Sequence, residues 1–122
     1  MKPAHTGLKR IGFAALNSKQ GFAAAWCYES AFRQECVLAA ILVPCSLIVG
    51  RDLGEVAVLL LTLGLVLLTE LLNSAVEAVV DRIGHEHHEL AGQAKDMASA
   101  AVFVSLFLVV VIWGLIIVKN FA

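Results

Sequence analysis

Four polar residues recur at helical spacing in the run E-L-L-N-S-A-V-E-A-V-V-D-R, residues 70–82. At about 100° per residue, Asn73 lies about 60° from Glu70, Glu77 about 20° from it, and Asp81 about 20° to its other side. All four share an arc of about 80°, while Leu71, Leu72, Ala75, Val76, Val79 and Val80 point elsewhere. Carboxylates aligned in this way suit two kinds of chemistry. One is removal of a proton from a reacting group. The other is binding of a divalent cation, for which Glu77 could act with a second carboxylate such as Glu29. Magnesium in particular takes one or two carboxylates plus substrate phosphates.

The element that carries the stripe is hardly soluble. V-A-V-L-L-L-T-L-G-L-V-L-L-T precedes Glu70 with no proline or turn cluster between them. The whole chain has 122 residues, 60% hydrophobic and 16% charged, with mean hydropathy +0.85. Soluble domains hold roughly 45–50% apolar and about 25% charged residues, and a chain this short cannot hide so much apolar surface in water. It reads as one small integral membrane domain. A net charge of −1 gives no global basic field, and no nucleic-acid recognition motif occurs.

Glu70 lies about 15 Å of helix from Val80, and an acidic residue at mid-bilayer costs about 2.5–3.5 kcal/mol. The plain alternative is a stripe that glues helices together, with Asp81 and Arg82 simply solvated. Interhelical hydrogen bonds average only about 0.6 kcal/mol, a poor return for burying two glutamates. Ser74 with Ala78 already offers a small-residue packing face. The balance favours function. A proton or ion relay would need acidic groups further along the helix, and residues 59–69 contain none. An enzyme at the water boundary has no such requirement. A conducting or scaffold protein stays open as a remote alternative.

Three spans are expected, at residues 36–50, 56–80 and 97–118; the first and third are uncharged, and the last third of the second holds the polar stripe. The first is about 23 Å long, short of a ~30 Å hydrocarbon core, so Arg33, Glu35 and Arg51 would snorkel. Pro44 is a potential kink. Extended to their flanking residues, the membrane helices run over about 34–50, 54–82 and 95–119. Residues 7–30 suit a helix in the headgroup layer, with Leu8, Ile11 and Ala15 on one stripe, Phe22 and Trp26 on another, and basic residues between. An ordinary membrane-edge anchor fits these residues as well, and Gly12 and Gly21 predict a break. Lys2, Lys9, Arg10, Lys19, Arg33, Arg82 and Lys95 lie on one side, against Arg51 and Lys119 on the other. This puts the N-terminus in the cytoplasm and the C-terminus outside.

The loop G-H-E-H-H-E-L-A-G-Q-A-K-D-M invites a zinc reading, but H-E-x-x-H needs histidine where Glu89 stands. Exposed loop histidines explain it more simply. Lys95 and Asp96 open the third span, by snorkelling and a helix-dipole contact or by pairing Lys95 with phosphate, with Ser99 one turn on. Cys27, Cys36 and Cys45 form no C-x-x-C and read as small hydrophobes. No G-x-x-x-x-G-K-[ST], H-R-D or D-F-G occurs, which excludes an ordinary soluble kinase fold.

A-F-R-Q-E (residues 31–35), the stripe itself, and H-E-L-A-G-Q-A-K-D-M-A-S-A-A together resemble the prokaryotic diacylglycerol kinase family. The E-x-x-N-[ST]-A-[IV]-E core followed by A-K-D is specific, and the likeness spans nearly the whole chain. It implies an all-α integral membrane fold in the bacterial cytoplasmic (inner) membrane, with a surface helix, three membrane helices and a homotrimeric assembly. The implied reaction moves the γ-phosphoryl group of ATP, with Mg²⁺, to the free hydroxyl of diacylglycerol, giving phosphatidic acid. Undecaprenol kinase, an activity of similar small proteins, is the alternative. By the resemblance Glu70 falls on the catalytic base, with Asn73 positioning the site, and Glu29 and Glu77 fall on the metal and ATP ligands. Arg10, Asn17, Glu86, His87, His88, Lys95 and Asp96 fall on the nucleotide side. Arg10, Ala31, Phe32, Arg33, Gln34, Glu35, Glu70, Ser99 and Trp113 fall on substrate positions. Asn17 and His87 stand where the family pattern has aromatic residues, and Gln93 and Ala98 also depart from it.

Overall fold

The computed structural model describes residues 6–84 and 88–122, almost entirely as helix: α1 Gly7–Tyr28, α2 Ser30–Val49, α3 Leu53–Ile83 and α4 Glu89–Phe121. α2, α3 and α4 are each long and apolar enough to cross a membrane. Helix is the form that satisfies every backbone group within its own segment where water is absent. The first span is longer than its uncharged core, because α2 begins at Ser30 and its 20 residues cover about 30 Å. α2 also continues through Pro44.

α1 runs unbroken through Gly12 and Gly21, contrary to expectation. A glycine costs a helix about 1 kcal/mol, and the good helix formers around these two outweigh it. The break falls instead at Glu29, whose extended backbone (φ −116°, ψ 103°) ends α1 and begins α2. Helix ends leave carbonyls without partners. Here the Arg33 guanidinium covers them, donating to Trp26 O at 2.7 Å and Cys27 O at 3.3 Å. Arg33 thus has a local task besides any snorkelling.

The α2–α3 turn needs glycine at position 50, where a Cβ would sit 2.8 Å from Val56 Cγ2 and 3.0 Å from Val56 N. Asp52 then caps α3, accepting from Glu55 N at 2.8 Å. α4 starts at Glu89, six residues before the expected 95. His88 is its cap, with Nδ1 accepting from Leu90 N at 3.1 Å. That role usually falls to Ser, Thr, Asp or Asn, so the histidine read as loop.

α3 and α4 lie antiparallel and are joined by four polar rungs. Lys119 Nζ meets Glu55 Oε2 at 2.6 Å, and Trp113 Nε1 donates to Thr62 Oγ1 at 3.0 Å. Thr69 Oγ1 meets Ser105 Oγ at 3.0 Å, and Lys95 Nζ meets Asp81 Oδ1 at 2.8 Å. Partners rise along α3 as they fall along α4, without a slip in register. Between the rungs Leu59, Leu63 and Trp113 form the core with Leu42, Cys45 and Val49 of α2 and Val109, Ile112 and Ile116 of α4. Lipid is as apolar as leucine, so close packing and these hydrogen bonds hold the bundle. At the Leu53 end, Asn120 Nδ2 donates to Val49 O and to Glu55 Oε1, each at 2.8 Å. Arg51 donates to Asn120 O at 2.7 Å and lies 4.8 Å from the centre of the Phe121 ring.

Candidate active site

The buried residues of α3 are Leu59, Thr62, Leu63, Val66 and Glu70. Their spacing describes one inward stripe, and at about 100° per residue Asn73, Glu77 and Asp81 continue it. The polar run is therefore the core seam itself, changing from apolar to acidic at Glu70. That change occurs where α3 leaves the packed middle of the bundle and runs on toward Ile83.

Glu70 is 4% exposed. Glu29, Glu35 and Glu77 are all close enough to repel it, and no described residue donates a hydrogen bond to it. Glu35 Oε2 is likewise buried without a hydrogen-bond partner among the described residues. The other two glutamates are held. Asn73 Nδ2 donates to Glu77 Oε1 at 2.8 Å, and Ser74 Oγ donates to Glu29 Oε1 at 3.2 Å. Lys95, on Asp81 at 2.8 Å, adds a positive charge in reach of Glu77. Four carboxylates thus gather around one stretch of α3, a concentration of negative charge that favours a bound cation there.

Beside them lies a groove of about 600 Å³ between α1 and α3, mainly apolar. Phe22, Ala25, Leu71 and Ala78 line it, with Ser18, Glu29 and Ser74 among its polar members. Of the 31–35 stretch, Phe32 is buried, Glu35 is half-buried and faces the cluster, and Ala31 and Gln34 are exposed.

Several expected residues stand apart. Arg10 and Asn17 are exposed on α1, about 28 and 18 Å of helix from Glu29. Asp96 and Ser99 are exposed on α4, and His88 caps it. Trp113 sits in the core against Thr62, about 12 Å of helix from Glu70. Glu86 and His87 lie outside the described residues. Ser74 went unrecognised as a holder of Glu29, although its place beside Asn73 in the motif was the available signal.

Among the described residues no three His, Cys, Asp or Glu side chains come together to hold a metal by themselves. The donors present nevertheless fit magnesium. Glu29 and Glu77 offer hard carboxylate oxygens from one side of α3, since Ser74, which holds Glu29, is one turn from Glu77. Magnesium completes such a set with water and substrate phosphates.

The family model for prokaryotic diacylglycerol kinase matches residues 16–117. The chain is similar to a diacylglycerol kinase of Escherichia coli strain K12, 48% identical over 118 residues, covering 95% of each chain. It is equally similar to one of Haemophilus influenzae, 48% identical over 109 residues, 89% of this chain and 92% of that one. The diacylglycerol kinase of Pseudomonas aeruginosa is 46% identical over 112 residues, 92% and 91% of the two chains.

Proposed function

Since the chain belongs to the prokaryotic diacylglycerol kinase family, we propose a division of labour among its residues for the phosphorylation of diacylglycerol. The donor is ATP with Mg²⁺, and Glu70 is the general base. The observation that carries this is the gathering of Glu29, Glu35 and Glu77 around a Glu70 that receives no hydrogen bond from any described residue. A carboxylate with free lone pairs is able to accept a proton.

The hydroxyl oxygen of diacylglycerol attacks the γ-phosphorus of ATP, a P–O bond forms, and the bond to the β-phosphate oxygen breaks to release ADP. Glu70 takes the hydroxyl proton as the attack proceeds. Glu29 and Glu77 would hold Mg²⁺, with Ser74 and Asn73 aiming them. When bound, the ion neutralises phosphate charge in the transition state. Lys95, resting on Asp81, turns to phosphate oxygens, with Asp96 beside it. Phosphoryl transfer needs mainly positioning and electrostatics, which these residues supply.

The lipid comes from the bilayer and ATP from water, so the base belongs where the two phases meet. On this reading the Ile83 end of α3 faces the cytoplasm across the bacterial inner membrane. The groove beside Glu29 and Ser74 takes the apolar part of the lipid. The working unit is a homotrimer, which gives the exposed Arg10, Asn17, Asp96 and Ser99 further surfaces to act on.

Purified protein in mixed micelles, given ATP labelled at the γ-phosphate, is offered diacylglycerol and undecaprenol side by side, with and without EDTA. Labelled phosphatidic acid that disappears with EDTA is the expected result. Labelling of undecaprenol alone would overturn the choice of lipid. Labelling unaffected by EDTA would overturn the magnesium site.

A further inference from the structure

With no hydrogen bond from a described residue, the Glu70 carboxylate is aimed by its backbone, that is, by how α3 is turned about its own axis. The contact nearest to Glu70 that fixes this turn belongs to its neighbour. Thr69 Oγ1 lies 3.0 Å from Ser105 Oγ on α4, with Ser105 only 3% exposed. Each hydroxyl also reaches a carbonyl of its own helix, Ser105 Oγ to Val102 O at 2.7 Å and Thr69 Oγ1 to Val66 O at 3.1 Å. Three contacts share two protons, so only two can be hydrogen bonds at once. The shortest contact retains the Ser105 proton for Val102 O. Ser105 Oγ is then an acceptor, and Thr69 donates across the gap in place of its longer bond to Val66 O.

We propose that Thr69 and Ser105 are positioning residues for phosphoryl transfer: their bond between helices pins the rotation of α3 so that Glu70, one residue on, faces the other carboxylates of the site, Glu29, Glu35 and Glu77. This rests on the reading of Glu70 as the base. The lever is sensitive. A glutamate carboxylate stands about 6 Å from the helix axis, so a turn of about 10° moves it about 1 Å, and a misplacement of that size can cost about a hundredfold in rate. The next rung, Thr62 with Trp113, lies two turns away. Between Thr69 and Thr62 the seam is smooth aliphatic surface, Leu63 and Val66, which resists sliding less than a directed hydrogen bond does, and the Ser74 bond on the other side reaches the joint between α1 and α2, not α4.

The test is a double-mutant cycle on kcat in full-length protein. Thr69→Val keeps the shape and removes the hydroxyl, and Ser105→Ala removes its partner. Each is expected to lower kcat about tenfold, with KM for diacylglycerol and for MgATP unchanged. The double variant is expected to be no slower than the slower single, and Thr69→Ser to restore kcat. Unchanged kcat in the singles, additive losses, or a change confined to KM would overturn the pin. If Thr69→Val does not fold, Thr69→Ala against Thr69→Ser asks the same question, and equal rates overturn it. The base assignment stands or falls separately. Near-normal turnover of Glu70→Gln removes it, whereas the coupling of Thr69 to Ser105 is read in chains that keep Glu70.

Discussion

Ser74 Oγ donates to Glu29 Oε1 at 3.2 Å, joining residues 45 positions apart in the chain. The bond ties the joint between α1 and α2 to the acidic face of α3, so the helix that carries the proposed base also aims the first of the two proposed metal ligands. Ser74→Ala should therefore raise the Mg²⁺ concentration needed for half-maximal activity about fivefold, the equivalent of a hydrogen bond of about 1 kcal/mol. Titration of activity with Mg²⁺ at fixed ATP checks this, and an unchanged midpoint counts against the bond.

Glu70→Gln should reduce turnover by about 10²–10⁴, the usual contribution of a positioned base. The fold should not suffer. Removing one of four mutually repelling carboxylates is expected to leave the thermal unfolding midpoint where it was or to raise it. Circular dichroism melts beside the phosphoryl-transfer assay separate lost chemistry from lost structure.

Glu77→Gln keeps the length and polarity of the side chain while removing its charge, and Asn73 Nδ2 can still donate to the amide oxygen. Its effect should appear as a weaker response to Mg²⁺, with diacylglycerol affinity unchanged. A metal titration superimposable on that of the unaltered protein would end its assignment as a ligand.

For Trp113 the family resemblance suggests a substrate contact, whereas the structure buries it against Thr62. Trp113→Phe should lower stability by about 0.6–1.5 kcal/mol through loss of the indole bond to Thr62 Oγ1. KM for diacylglycerol should hold. The opposite pattern, an altered KM at unchanged stability, would return Trp113 to the lipid.

The three spans and the acidic stripe were legible because each rests on one strong signal, a long apolar run or polar residues at helical period. The rungs were not. Thr62, Thr69, Ser46 and Ser105 sit in apolar runs and return hydroxyl contacts to their own helices, to Leu59 O, Val66 O, Val43 O and Val102 O. In sequence they pass for small apolar residues. Which of them also reach another helix depends on helix rotation, which periodicity does not fix. The start of α4 was misplaced for a local reason, a histidine acting as cap. The break at Glu29 depends on Arg33 reaching back over the end of α1, a contact that spacing alone does not announce.

Glu55 and its partners Lys119 and Asn120 are separated by 64 and 65 positions. During synthesis, therefore, the Leu53 end of α3 is made long before the residues that clasp it. Over that interval Arg51, whose N–H reaches Glu55 in the folded chain, is already made and Lys119 is not. The clasp closes last, once α4 has crossed, and its closure marks the point at which all three spans are in place and in register.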